Sequence, residues 1–90
     1  MEKKAQLQLV EGILRRWDPV GVLPGRMAPA DEYDSYAPEI LSVVNAGCTV
    51  DELAAHLEKL AVSTIGVDAN PVRSRKYAAE IIRTVRPAGT

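Results

Sequence analysis

The apolar spacing between Tyr33 and Val44 constrains the fold more than any other feature of the sequence. Apolar or aromatic side chains recur there at intervals of three and four residues, which is the spacing of one face of an α-helix. They are Tyr33, Tyr36, Ala37, Ile40, Leu41 and Val44. Pro38 opposes this pattern, because a proline inside a helix removes a backbone hydrogen bond, here to the carbonyl of Asp34, and costs roughly 3 kcal/mol. We therefore predict a helix from about residue 31 to 46, with Asp31 as its N-cap and a kink near Pro38.

A first helix is predicted ahead of this segment, between Ala5 and Trp17. Its apolar positions are Leu7, Leu9, Val10, Ile13, Leu14 and Trp17. Asp18 ends the helix, because a residue that precedes a proline is pushed out of the helical region of backbone space. The connection from Pro19 to Pro29 carries four large apolar side chains, so we expect an ordered irregular segment pinned over the core.

Two more helices are predicted from their capping residues. Thr49 and Glu52 form a capping box, and the helix that they open runs to about Ile65 before Gly66 ends it. Asn70 followed by a proline is a typical helix start, and the last helix then continues up to Pro87. The apolar positions of the chain lack the strict alternation of a β-strand.

Chain length and composition set the fold class. Ninety residues suffice for one domain, and 47 % are apolar although phenylalanine is absent, so the core must consist of aliphatic side chains around Trp17 and the tyrosines. We predict an all-α fold, a compact bundle of four helices that forms a single domain over residues 1–90, with residues 87–90 as a disordered tail. Cys48 has no cysteine to pair with, and the N-terminal residues form no signal peptide or membrane span, which favours the cytoplasm.

The acidic tyrosine segment, residues 31–39, is the most site-like part of the sequence. Together with the end of the first helix it gives a candidate interaction surface: Trp17, Asp18, Asp31, Glu32, Tyr33, Asp34, Tyr36 and Glu39. We interpret the acids as helix-start residues that meet the basic last helix, and the rings as core. If a ring is exposed, it is a good anchor for a protein partner.

The sequence contains no established pattern of catalytic or metal-binding residues. The D-x-D-x-D-G calcium pattern and the phosphate-binding glycine loops are absent. His56 has no partner at zinc or catalytic-triad spacing, and Cys48 is interpreted as a packing residue, although its place beside a helix start could lower its pKa. We therefore assign no catalytic residue, no cofactor and no metal.

Charge is distributed unevenly along the chain. Residues 18–68 carry nine acids and two bases, a net charge of −7, whereas residues 72–90 carry five bases and one acid, a net charge of +4. The five bases form a candidate basic face on the last helix: Arg73, Arg75, Lys76, Arg83 and Arg86. Residues 40–60 also have the outline of a helix-turn-helix, but its second helix is acidic and would repel phosphates. Packing of the basic helix against the acidic middle is favoured over nucleic-acid binding.

Two motifs resemble a family of small bacterial all-helical domains of uncharacterised function. They are the W-D-P-x-G stretch that begins at Trp17 and the D-E-Y-D stretch that begins at Asp31, followed by a helix pair that ends at Ile65-Gly66. The resemblance covers roughly residues 7–82. It implies a compact helical fold and supplies no activity, so no catalytic residue is carried over.

Three functions are compatible with these observations. The favoured one is a protein-interaction or regulatory module, for example of the inhibitor or immunity type, with self-association left open. The alternative is a small enzyme or a ligand- or metal-binding protein that uses the acidic tyrosine segment, with Asp18, Asp31, Asp34 and Tyr36 in a pocket. The third is a weak nucleic-acid binder that uses the basic face.

Overall fold

Four α-helices make up most of the chain that the computed structural model describes, residues 2–18 and 33–86. They are α1 (Lys3–Trp17), α2 (Ala37–Asn45), α3 (Val50–Lys59) and α4 (Pro71–Val85). A 3-10 turn, Asp34–Tyr36, precedes α2, and a π-helical segment, Leu60–Ile65, extends α3. No strand occurs within these two ranges. The prediction of an all-α bundle of four helices is confirmed, whereas the predicted connection from Pro19 to Pro29, the proposed N-cap Asp31 and the tail at residues 87–90 lie outside the described residues.

The apolar faces of the helices meet in one core. α4 packs against both α3 and α1, and α2 packs against α1 and α3. The largest fully buried side chains are Trp17, Leu14, Ile40, Leu41, Leu53, Leu57, Ile81, Val10 and Val44. Burying each of these aliphatic side chains contributes about 1.5–3 kcal/mol to folding. The predicted helical spacing therefore corresponds to real core positions in all four helices, with Leu9 of α1 as an exception because it is partly exposed.

The segment around Pro38 differs from the predicted single α-helix. Tyr33 lies in a turn and the 3-10 turn follows it, so α-helical backbone begins only at Ala37 and Pro38 lies in the first turn of α2. The backbone N–H of Ala37 donates a hydrogen bond to the carbonyl of Asp34, the acceptor that Pro38 could not have served. The irregularity expected near Pro38 is thus a change of helix type between Tyr36 and Ala37, and the proline costs no helical hydrogen bond there.

The caps of α3 and α4 are confirmed in atomic detail. The Oγ1 atom of Thr49 accepts a hydrogen bond from the backbone N–H of Glu52 at 3.1 Å, and the Glu52 carboxylate accepts one from the N–H of Thr49 at 2.8 Å. At the start of α4, the Oδ1 atom of Asn70 accepts from the N–H of Arg73 at 3.1 Å. Gly66 ends the π-helical segment with φ = 90°, a left-handed conformation that glycine adopts without steric cost.

The end of α1 is confirmed at Asp18, but for a different reason. Asp18 is not extended: it has φ = 36° and ψ = 64°, and its N–H donates to the carbonyl of Leu14 at 3.1 Å. A left-handed conformation is uncommon for a residue other than glycine and is best tolerated by Asp and Asn. The helix therefore ends in a left-handed cap that turns the aspartate side chain back to the core.

Candidate functional site

Trp17, Asp18 and Tyr33 form a buried cluster at the end of α1. Their exposed fractions are 1 %, 8 % and 2 %. The hydroxyl of Tyr33 donates a hydrogen bond to the Oδ1 atom of Asp18 at 2.6 Å, and the rings of Trp17 and Tyr33 lie 6.0 Å apart at an interplanar angle of 60°. A tilted ring pair of this kind adds to the stability gained from burial. The rings belong to the core, as expected, and these three members of the candidate interaction surface cannot contact a partner in this conformation.

The expectation that the acids of the acidic tyrosine segment meet the basic last helix is wrong for Asp34 and Glu39, whose partners lie on α1 and α3. Asp34 forms an ion pair with Arg15 of α1, with 2.9 Å between Nη2 and Oδ2. The Glu39 carboxylate lies 3.8 Å from the Nε2 atom of His56 on α3. Tyr36 is half-buried against the core. In residues 2–18 and 33–86 no three His, Cys, Asp or Glu side chains come together as a metal site; Asp31 and Glu32 lie outside these ranges.

Arg73 is the first residue of the candidate basic face, and it binds the C-terminal end of α1. Its Nε atom donates to the backbone carbonyl of Trp17 at 2.7 Å, and its Nη2 atom donates to the carbonyl of Arg16 at 3.2 Å. Carbonyls at a helix C-terminus lack helical partners and carry a partial negative charge, so a guanidinium there is favourable. The same guanidinium lies 5.4 Å from the centre of the Tyr77 ring. Arg73 therefore joins α4 to the end of α1.

Most of the remaining basic face also has partners within the domain. Arg75 pairs with Asp51 of α3. Arg86 donates to the carbonyl of Cys48, and the ammonium of Lys76 lies 5.4 Å from the centre of the Tyr77 ring. Arg83 is exposed. The Asp51–Arg75 pair agrees with the expectation that the basic helix packs beside an acidic one, and it leaves few free cations on α4 for a phosphate backbone.

Cys48 has a pKa above the ordinary value of a thiol. Burial has the largest effect and raises the pKa, while the nearby charge of Arg86 lowers it by less. A raised pKa keeps the side chain in its unreactive thiol form at neutral pH. Cys48 is half-buried against the core, which agrees with the packing role expected for it.

A groove between α3 and α4 was not predicted from the sequence. This α3–α4 groove has a volume of about 280 Å³ and is lined by Asp51, Ala54, Ala55, Glu58, Pro71 and Arg75. Val72, next to Pro71, has 81 % of its surface exposed. The signal that could have found the groove is the spacing of residues 51, 54, 55 and 58, which places two small alanines between two acids on one face of α3.

Comparison with known proteins leaves the geometry as the main guide to function. No family model, no characterised protein and no solved structure matches the chain. The resemblance to small bacterial helical domains therefore stays a prediction. In the described part of the chain, no helix is both long and apolar enough to cross a membrane.

Proposed function

We propose that this domain is a protein-interaction module and that its contact surface is the α3–α4 groove together with Val72. The observation that carries the proposal is the exposure of Val72 beside an open apolar groove. Single exposed apolar side chains are common on protein surfaces and need no explanation. Here the exposed valine directly follows Pro71, which lines the groove together with Ala54 and Ala55 of α3.

The groove also has the layout of a small interface. Alanine and proline side chains line it together with the charged side chains of Asp51, Glu58 and Arg75, and protein–protein contacts also combine apolar and charged groups. The small alanines leave room for a side chain of the partner. An apolar side chain inserted between Ala55 and Pro71 would lose water on all sides, and such buried anchors supply most of the binding free energy.

The charges of the groove indicate what the partner presents. Asp51 and Arg75 neutralise one another as an ion pair, so the carboxylate of Glu58 remains as the net charge of the groove. A partner segment with an apolar side chain next to a lysine or arginine would match this surface. Complementary charge of this kind increases the association rate and the specificity more than the affinity.

The arrangement of the acids supports binding over catalysis. A hydrolytic or acid–base site needs two or more titratable groups directed at one reacting atom. Asp18, Asp34 and Glu39 instead have three different partners, Tyr33, Arg15 and His56. The proposal therefore favours the interaction module over the small enzyme.

Affinity capture from the native host with a paired set of variants tests the proposal. The tagged domain is expected to retain a partner that Val72→Asp fails to retain, because a carboxylate at the centre of the contact would have to be desolvated. Leu9→Asp is the matched control: Leu9 is also an exposed large apolar residue, but it lies on α1, outside the groove. Equal loss in both variants, or no loss in either, contradicts the proposed surface.

Sedimentation velocity tests whether the partner is a different protein or a second copy of this chain. We propose a different protein, so the purified domain is expected to sediment as a monomer at micromolar concentration. A dimer that Val72→Asp dissociates would show that the groove is a self-association surface and would contradict this part of the proposal.

A further inference from the structure

Glu39 of α2 and His56 of α3 approach each other where these two helices pack. The Oε2 atom of Glu39 lies 3.8 Å from the Nε2 atom of His56. This distance is too long for a hydrogen bond but short enough for an ion pair. Glu39 lies in the first turn of α2, where a negative charge is favourable because the N-terminus of a helix carries a partial positive charge. The carboxylate therefore meets the imidazole as an anion.

The Nε2 atom of His56 is shielded from water and has no hydrogen-bond partner in the part of the chain that the structure describes. Buried polar atoms in native proteins nearly always have a partner, so an unpaired ring nitrogen needs a physical reason. A neutral imidazole carries one proton, on either nitrogen, whereas an imidazolium carries a proton on both. Protonation of the ring therefore guarantees that Nε2 has a hydrogen to donate.

The Glu39 carboxylate is the acceptor within reach of this nitrogen. Its side chain is 63 % exposed, so it has the freedom to move the roughly half an ångström that separates the present distance from a hydrogen bond. Hydrogen bonds between an imidazolium and a carboxylate are about twice as strong as those between neutral groups. The contact between α2 and α3 thus depends on the charge of His56.

The charged neighbours of His56 on α3 itself are Glu52 and Lys59. Glu52 lies four residues before His56 and Lys59 three residues after it, so both flank the imidazole on the helix surface. Glu52 is held in the capping box by Thr49, and Lys59 is exposed. Because their charges have opposite signs, their effects on an imidazolium partly cancel.

The other elements near α3 direct their charges elsewhere. In the 3-10 turn ahead of α2, Asp34 pairs with Arg15 of α1. α4 packs on the face of α3 that carries residues 51, 54, 55 and 58, and His56 lies roughly 150° around the helix from the centre of that face. Glu39 is therefore the charged group that the described part of the chain brings to His56 from another helix.

We propose that protonation of His56 converts this pair into a charge-assisted hydrogen bond, from Nε2–H to the Glu39 carboxylate, which fastens α2 to α3 in mild acid. Histidine is the side chain that ordinarily gains its proton between about pH 7 and pH 5. The contribution of the pair to the stability of the fold is therefore present at the acidic end of this range and is lost as the pH rises to neutrality. His56 is the sole histidine of the sequence, so no other imidazole can produce the effect. This inference does not depend on the proposed interaction surface.

A double-mutant cycle measured at two pH values tests the proposal. The unsubstituted protein, His56→Gln, Glu39→Gln and the double variant are unfolded with urea at about pH 7.5 and about pH 5.5, where carboxylates of ordinary pKa are ionised. At the acidic pH the two substitutions are expected to be coupled, with an unfolding equilibrium constant that departs from additivity about 1.5- to 5-fold, the range of partly exposed ion pairs. At the higher pH the coupling factor is expected to be close to one. Equal coupling at both pH values, or no coupling in acid, overturns the proposal.

The Nε2–H proton of His56 gives a second measurement that requires no unfolding. In nitrogen-15 NMR spectra at about pH 5.5, its exchange with water is expected to be slower in the unsubstituted protein than in Glu39→Gln, because a hydrogen-bonded proton is protected. Glu11→Gln on α1 is the matched control, since it removes a carboxylate that has no ion pair with His56, and its exchange rate is expected to equal that of the unsubstituted protein. Equal exchange in the unsubstituted protein and Glu39→Gln contradicts the hydrogen bond.

Discussion

Tyr33 is the residue that joins the end of α1 to the start of the second helical segment. Its hydroxyl reaches the Asp18 carboxylate across fifteen positions of sequence, and its ring packs on Trp17. Because the hydrogen bond is buried and its acceptor is a carboxylate, it is worth more than an average surface contact. Asp18 of the W-D-P-x-G motif and Tyr33 of the D-E-Y-D motif are thus joined by a hydrogen bond, so both motifs contribute to the same buried cluster.

Tyr33→Phe is expected to lower the free energy of unfolding by about 1–3 kcal/mol, because it removes a buried hydrogen bond to a carboxylate without creating a cavity. Urea denaturation monitored by the fluorescence of Trp17 measures the change. Tyr36→Phe is the matched control, since Tyr36 is only half-buried against the core. Equal losses of stability in the two variants would contradict the role assigned to the Tyr33 hydroxyl.

The start of α2 accommodates Pro38, although the apolar spacing around this residue predicts the interior of a helix. The apolar spacing from Tyr33 to Val44 is continuous, and it correctly marks the buried face. Spacing alone cannot distinguish a 3-10 turn from an α-helical one over three residues. In the structure, the N–H of Ala37 donates to the carbonyl of Asp34, so the N–H that Pro38 lacks is not needed there. The same limit applies to Leu60–Ile65, where the end at Gly66 is predictable but the π-helical form is not.

Pro38→Ala distinguishes a proline in the first turn of α2 from a proline in the interior of a kinked helix. With Pro38 in the first turn, the substitution is expected to lower the free energy of unfolding by about 0.4–1 kcal/mol, because alanine gives the unfolded chain more conformational freedom. A proline in the interior of a kinked helix would give the opposite result, a gain of roughly 3 kcal/mol. Denaturant unfolding of the two proteins decides between these signs.

The capping box of α3 gives a pH-dependent prediction. The hydrogen bonds that Glu52 receives from Thr49 hold the pKa of its carboxyl below the ordinary value. A pKa that is lower in the folded state means that this contribution to stability is present above the unfolded pKa and is lost as the pH falls through the folded one. Thr49→Ala is therefore expected to lower the free energy of unfolding by about 1 kcal/mol near pH 7 and to bring the Glu52 pKa back towards its ordinary value.

Carboxyl-detected NMR titration reads that pKa directly. Glu52→Gln serves as the control, because glutamine can still accept the hydrogen bond from Thr49 but cannot titrate. The Glu52→Gln variant should keep most of the free energy of unfolding at neutral pH and lose the part of its pH dependence that comes from Glu52. An ordinary Glu52 pKa in the unsubstituted protein would mean that the box does not form in solution, because the backbone N–H of Thr49 has the largest effect on that pKa.

At the scale of the whole molecule, what the sequence predicts is local and what it misses is long-range. Helix positions, the caps at Thr49 and Asn70 and the buried ring of Trp17 follow from spacing and residue type within a few positions. The contact of Arg73 with the Trp17 carbonyl joins residues 56 positions apart, so no local pattern contains it. The α3–α4 groove likewise depends on how two helices pack, so local spacing predicts a candidate surface around Trp17 and Tyr33 and not at the exposed Val72.

Hydrogen exchange of the domain with and without its captured partner tests the central claim most directly. The account predicts that the partner slows exchange at the amides of residues 51–58 and 71–75, which border the α3–α4 groove, and leaves residues 33–39 unchanged. Protection confined to residues 33–39 would contradict it, because the acids and tyrosines of that segment would then be the contact surface and not part of the framework of the bundle.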